Sequence, residues 1–236
     1  MPASIGTSCG SHWPRRPSMG SSWRHAGWIG APASLSGRNG VRFARVIWLS
    51  VCISVCASWP SSPSAAASCF SADYDLQIAA AAARWWQDMS LQVAALAWKA
   101  QLCQESGLDP KAVSPVGAKG LAQFMPGTWR EVAAELGLGT RTAFDPSSAI
   151  DAGAYYMGKM RRFPDWRWWQ DPERHRMSQA GYNAGPGNVR KALRLCPGQS
   201  WSVVARCLPD VTGRHARETI TYVDRIADWQ RRLGGQ

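Results

Sequence analysis

Apolar residues recur at helical spacing in separated stretches of the chain, and almost nowhere do they alternate as a strand would require. The Ala-rich run Leu76 to Trp86 contains neither Gly nor Pro, so alanine propensity alone favours a helix there. Ser90 is placed to cap a second helix running from Leu91 toward Ser106, with Leu91, Ala94, Ala95, Trp98 and Leu102 on one buried face. Gly107 ends that helix and Pro110 prevents its resumption. Val113 to Lys119 reads as a turn or short irregular hairpin, and Gly120 to Met125 is too short to classify. A helix follows from about Gly127 to Leu136. Another opens at Asp145-Pro146, with Ala149, Ile150, Gly153, Tyr156, Met157 and Met160 in helical register to about Arg162.

Beyond it, Pro164 to Arg176 reads as a Trp/Arg-rich loop, in which packing of Trp166, Trp168 and Trp169 is favoured over sugar stacking. Helices resume at Met177 to Ala180 and Val189 to Leu195, around a Gly181 to Gly187 segment in which three glycines surround a Tyr-Asn pair. The last helix, about Arg217 to Leu233, places Ile220, Val223, Ile226 and Trp229 inward. The pattern specifies a mainly α domain with little or no β, and no solenoid repeat.

Composition divides the chain. No Asp or Glu precedes Asp73, and the six basic residues before it are all arginines. Arg42 and Arg45 precede the apolar run Val46 to Ala57, and the small residues Ala65-x-Ala67 follow, which is the order of a secretory signal peptide. Residues 1–67 are therefore expected to be a leader cleaved near Ala67, and 68–236 the mature domain, exported to the periplasm or cell envelope. A retained anchor is the alternative, although the apolar run is short for a membrane span. The charges lie far from Met1, so translation starting at Val41 is a further expectation. A lipidated Cys69 fits less well, because Ala66-Ala67-Ser68 lacks a bulky residue.

Removing the leader's arginines lowers the net charge from +11 to +5, with 21 basic and 16 acidic residues remaining. That balance suits a polyanionic wall, and no nucleic-acid motif accompanies it. Cys69, Cys103, Cys196 and Cys207 remain after processing, and four cysteines allow three pairings. A loop closed by Cys196 and Cys207 is favoured, while Cys103 is either a buried small hydrophobe or the partner of Cys69. His175 and His215 have no ligand spacing to these cysteines, so no metal or cofactor is expected.

Three blocks carry a resemblance. They are Glu105-Ser106 through Gly117-Ala118-x-Gly120-Leu121-Ala122-Gln123-Phe124-Met125-Pro126; Tyr182-Asn183-Ala184-Gly185-x-Gly187; and Glu218-Thr219-x-x-Tyr222-Val223. Together with Ile150, Gly153 and Tyr156 they resemble, in order, the soluble lytic transglycosylase (SLT) domain, a goose-type, lysozyme-like helical fold with a substrate cleft. The resemblance spans about residues 90 to 230 and implies a monomeric enzyme acting on peptidoglycan glycan strands. It would cleave the β-1,4 bond between N-acetylmuramic acid and N-acetylglucosamine, forming a 1,6-anhydromuramic product with Glu105 as the single acid/base.

By the same resemblance, Ser114 lies near the acid and the substrate N-acetyl group. Gln123 and Met125 contact sugar, Tyr182 orients the Glu105 carboxyl, Asn183 sits beside it, and Glu218 has a structural hydrogen-bonding role. Asp109, the one acid close to Glu105 in sequence, reads as a turn residue. Gly181 and Ala122 depart from the family's usual residues. The alternatives are a hydrolytic muramidase in the same cleft, or a non-catalytic wall-binding component of a secretion or conjugation machine.

Overall fold

The computed structural model describes residues 69–235, and the expected leader, its cleavage site and the Val41 start lie outside the described residues. Helices dominate: α1 (Asp75–Trp85), α2 (Leu91–Ser106), α3 (Pro126–Glu135), α4 (Pro146–Arg161), α5 (Glu173–Ala184), α6 (Pro186–Leu195), α7 (Trp201–Arg206), α8 (Leu208–Thr212) and α9 (Ala216–Gly234). The β content among the described residues is two isolated bridges, Val113 with Lys119 and Lys119 with Phe124. This is the mainly α architecture that the hydrophobic periodicity specifies.

The core has two parts. In the first, α1, α2 and α4 pack around Trp86 and Trp98, whose rings meet edge to face 5.7 Å apart. Their indole N–H groups donate to the Ala154 carbonyl at 2.8 Å and the Ile150 carbonyl at 3.2 Å, so neither leaves a buried donor unsatisfied. Gly153 makes this approach possible, since a Cβ there would stand 2.7 Å from Trp98 ring carbons and 2.8 Å from the Ala122 methyl. Helix α4 starts where the sequence places it. Asp145 accepts from the Ser148 N–H at 2.8 Å, and Pro146 occupies the first turn, where its missing N–H costs nothing.

In the second part, α5 to α9 surround Trp166, Val189, Trp201, Val204 and Leu208. Trp166 is fully buried, stacks 4.5 Å from Phe163 and donates to the Met160 carbonyl at 2.8 Å. A Cβ on Gly181 would lie 3.3 Å from its ring and 3.4 Å from the Met160 sulfur, so a side chain there would require its neighbours to give by a few tenths of an ångström. Trp169 is buried as well, while Trp168 is exposed, with the Arg167 guanidinium 4.4 Å above its ring.

Several boundaries differ from the periodicity. Leu91 is 54% exposed, and with Gln92 and Val93 it forms a first turn of α2 outside the core. Helix α5 begins at Glu173 rather than Met177, behind an ion-pair cluster that fixes its start. The buried Arg161 guanidinium binds Asp88 at 2.7 Å and Asp171 at 2.9 Å, and it donates to His175 Nδ1 at 2.9 Å. Burial and then the neighbouring Arg161 cation push His175 down to about 3, so it serves this cluster as a neutral acceptor. The short helices α7 and α8 lie within and just beyond the loop closed by Cys196 and Cys207, whose Cα atoms are 5.9 Å apart. Cys69 pairs with Cys103, resolving the alternative left open for that residue, and ties the start of the described chain to α2.

Candidate active site

Helix α2 delivers Glu105 one residue before its C-terminal Ser106. Gly107 then turns left-handed at φ 64° and its N–H returns to the Cys103 carbonyl, which stops the helix and aims the glutamate at the following loop. The Ser106 hydroxyl donates to the Leu121 carbonyl at 2.9 Å, fastening that loop to the helix end. Lys119 and Phe124 close the loop by exchanging both backbone hydrogen bonds at 3.0 Å. At Gly120, φ is 71° and a Cβ would lie 1.8 Å from the Ala143 carbonyl oxygen, so no other residue fits.

The floor of the cleft comes from later helices. The Tyr222 hydroxyl, on α9, donates to Glu105 Oε1 at 2.5 Å. Tyr182, on α5, donates instead to the Ala122 carbonyl at 2.8 Å and packs edge to face with Tyr156 at 5.2 Å. The expected orienting bond from Tyr182 to Glu105 is thus not formed. That residue props the loop wall next to the acid, and Tyr222 holds the carboxyl. The physical reason is reach: Tyr182 meets the carbonyl of the buried Ala122 in the loop, while the buried face of α9 runs directly against α2. Tyr222 stood in the third sequence block at an inward position beside Val223, which was the available signal for it. Asn183 Oδ1 accepts from the Thr219 hydroxyl at 2.8 Å, locking the end of α5 to the start of α9 and so fixing the two tyrosines together.

The Glu105 side chain retains some solvent access, but protein surrounds the carboxyl closely. Burial pushes it up to about 8, against the Tyr222 hydrogen bond, which favours the ionised form. Burial, and then the Glu105 charge, raise both Tyr182 and Tyr222 well above the ordinary phenol range, so both remain donors. At neutral pH the site therefore presents a carboxylic acid with its proton on, held by a phenol. That is the state of a general acid.

The remaining expected residues are distributed around this centre. Ser114 shapes the preceding turn, its hydroxyl accepting from the Ala118 N–H at 3.0 Å. Gln123 has φ 44°, a left-handed backbone that a non-glycine residue adopts at a cost. Its amide donates to the Gly120 carbonyl at 2.9 Å and the Ala112 carbonyl at 3.3 Å, holding that conformation. Met125 is 44% exposed just before α3, and Glu218 is exposed in the first turn of α9. Asp109 accepts from the Lys111 N–H at 2.8 Å, an Asx turn. Among the described residues no cluster of three His, Cys, Asp or Glu is arranged to hold a metal ion.

The family model described as Transglycosylase SLT domain matches residues 80–200. Among curated proteins, the membrane-bound lytic murein transglycosylase F of Alcanivorax borkumensis is 38% identical over 112 residues, covering 45% of this chain and 22% of that protein. The protein of the same name from Desulfosudis oleivorans is 35% identical over 145 residues, covering 54% and 30% respectively. The chain thus spans roughly a quarter of the length of the curated relatives it matches. Among solved structures, an inactive mutant of lytic transglycosylase Slt from Pseudomonas aeruginosa is 29% identical, with a TM-score of 0.48 over 60% of this chain and 21% of that one. The 70 kDa soluble lytic transglycosylase of Escherichia coli is 29% identical with a TM-score of 0.46, over 58% and 21%. The family match takes in just over half of the chain, including Glu105, the loop beneath it and Tyr182, and on that match the chain belongs to the SLT transglycosylase domain family.

Proposed function

We propose that this chain is a peptidoglycan lytic transglycosylase of the bacterial envelope, with Glu105 as its single acid/base. The observation that carries the reading is the Glu105 carboxyl itself, bonded to the Tyr222 hydroxyl and raised to about 8 by burial.

The chemistry follows from that one group. Glu105 gives its proton to the glycosidic oxygen as the bond to muramic C1 breaks, and N-acetylglucosamine leaves with its 4-hydroxyl restored. The substrate's own N-acetyl oxygen stabilises the cationic C1. The Glu105 carboxylate then removes the proton of the muramic C6 hydroxyl, whose oxygen bonds C1 to close the 1,6-anhydro ring. Glu105 is protonated again and no water is consumed. Tyr222 stabilises the intermediate carboxylate, while Tyr182 and the Ser106 hydroxyl keep the loop bearing Gln123 and Met125 in place. Ser114, Gln123, Met125 and Asn183 line the sugar path in this reading, and Glu218 supports the start of α9. Export fits the two disulfides, which persist in oxidising compartments.

Mass spectrometry of peptidoglycan digested by the purified chain tests the proposal. Anhydro products, one water lighter than hydrolytic ones, are expected, and Glu105→Gln should abolish them. Products carrying the added water would replace the transglycosylase by a muramidase, and the absence of cleavage would overturn the enzymatic reading.

A further inference from the structure

Gln101 is fully buried on α2, one turn before Glu105, and neither polar atom of its amide completes a hydrogen bond. Ser106 and Thr219, buried on α2 and α9, are both bonded: Ser106 donates to the Leu121 carbonyl and Thr219 to Asn183. An amide enclosed without a partner costs stability, and an apolar side chain of the same volume would avoid that cost. Packing alone therefore does not account for a glutamine at this position.

Its surroundings are those of the acid. Residues four apart lie on one helix face, and helical side chains lean toward the N-terminus, so Glu105 reaches back over the turn that carries Gln101. Helix α9 packs along α2 and brings in Tyr222, whose hydroxyl donates to Glu105 Oε1. Burial and then the Glu105 charge raise the Tyr222 phenol, and the Gln101 amide beside it acts in the opposite sense, as a donor to the phenol oxygen does. That contact falls short of good bond geometry, as is common for the hydrogen bonds of a site before its substrate arrives. Of the other titratable groups, Tyr182 on α5 faces the acid and Tyr156 on α4 packs against Tyr182; burial raises both phenols.

A phenol carries one proton and also accepts, so Tyr222 could either donate to the Glu105 carboxyl or take up the acid's own proton. In the second arrangement the catalytic proton would be tied up inside the protein. An amide N–H on the phenol oxygen favours the first, because a hydroxyl that already accepts is a stronger donor. Resting on the function proposed above, we infer that Gln101 is a positioning residue that acts through Tyr222: its amide donates to the phenol oxygen, commits the phenol proton to Glu105 Oε1, and leaves the acid's proton on Oε2 for the glycosidic oxygen. Once that proton has left, the same chain from amide to phenol to carboxylate steadies the negative charge, since successive hydrogen bonds polarise one another.

The test is Gln101→Met, which keeps the length and volume of the side chain and removes the amide, with Gln101→Leu as a second variant. NMR titration of the Glu105 carboxyl carbon, which needs no substrate, should place its pKa higher by about 0.5 to 1 in either variant, the net worth of one hydrogen bond. On glycan strands kcat should fall about three- to tenfold with KM little changed. The urea midpoint should not fall, because the amide removed was unsatisfied in the fold. Added to Tyr222→Phe, Gln101→Met should change neither the titration nor kcat further, since Gln101 acts through that phenol. An unchanged Glu105 titration in both Gln101 variants would overturn the inference whatever their stability, as would a change of the same size with and without the Tyr222 hydroxyl. A chain that cleaves no glycan strand would refute the enzymatic reading, and the titration would still decide the role of Gln101.

Discussion

Glu105→Gln should separate activity from stability, in opposite directions and with a pH dependence set by the buried carboxyl. The folded protein binds the Glu105 proton with a pKa of about 8, against 4.5 for the free side chain. The folded state therefore carries more protons than the unfolded state between those two values, and stability falls as pH rises through that window. Each unit of difference is worth about 1.4 kcal/mol, so ionisation of the unfolded state costs the native protein about 3 kcal/mol at pH 7 and about 4.5 kcal/mol above pH 8. These are upper bounds, since the side chain retains some solvent access.

Glutamine is neutral throughout and keeps an oxygen for the Tyr222 hydroxyl, so the variant should escape the cost. Urea unfolding of both proteins at pH 4.5, 6, 7 and 8.5 measures it directly. The two should have similar stability at pH 4.5, and the variant should gain steadily to pH 8.5 while losing bond cleavage. Parallel stability curves would show that Glu105 ionises in the folded protein as freely as in the unfolded chain, and the assignment of a protonated acid would fail.

Activity on glycan strands should be level below neutrality with respect to Glu105 and fall as pH passes about 8, where the acid loses its proton; a pH profile of kcat/KM checks this. Tyr222→Phe removes the hydrogen bond that favours the carboxylate, so that descending limb should move to higher pH while the rate drops about ten- to hundredfold. Tyr182→Phe, which loses only a bond to the Ala122 carbonyl, should leave the limb in place. Gly153→Ala should destabilise by about 1–3 kcal/mol despite better helix propensity, because its Cβ meets Trp98 at 2.7 Å; thermal melting reads the loss. Reducing both disulfides should cost about 3 kcal/mol for the Cys196–Cys207 loop and about 4 kcal/mol for Cys69–Cys103 by chain entropy, measured as a fall in urea midpoint.

Much of the helical framework is legible in the sequence because its causes are local. Asp145 and Pro146 start α4 through a bond spanning three residues, and Gly107 ends α2 because it alone at that point adopts the left-handed turn at no cost. The burial of Trp98, Ile150 and Val223 follows from period 3.6, and the position of Glu105 in the last turn of a largely apolar helix already marks it as an acid pushed toward its neutral form. Where local signals are weak, the boundaries move: α5 starts early because Arg161 and Asp171 meet across ten residues, and the first turn of α2 is exposed because no later segment covers Leu91.

The environment of the acid belongs to the tertiary structure. Glu105 and Tyr222 are 117 positions apart, and no spacing rule could choose between Tyr222 and Tyr182 as the phenol that holds the carboxyl. That choice depends on how closely α9 lies against α2, and on the Ala122 carbonyl being the acceptor nearest Tyr182. Pairing Cys69 with Cys103 is likewise a matter of which backbones approach within 5.7 Å. The sequence by itself determined most of the helices and the family, and it singled out Glu105 as the candidate acid; packing alone decided what surrounds that carboxyl, because hydrogen bonds and desolvation depend on neighbours in space and not along the chain.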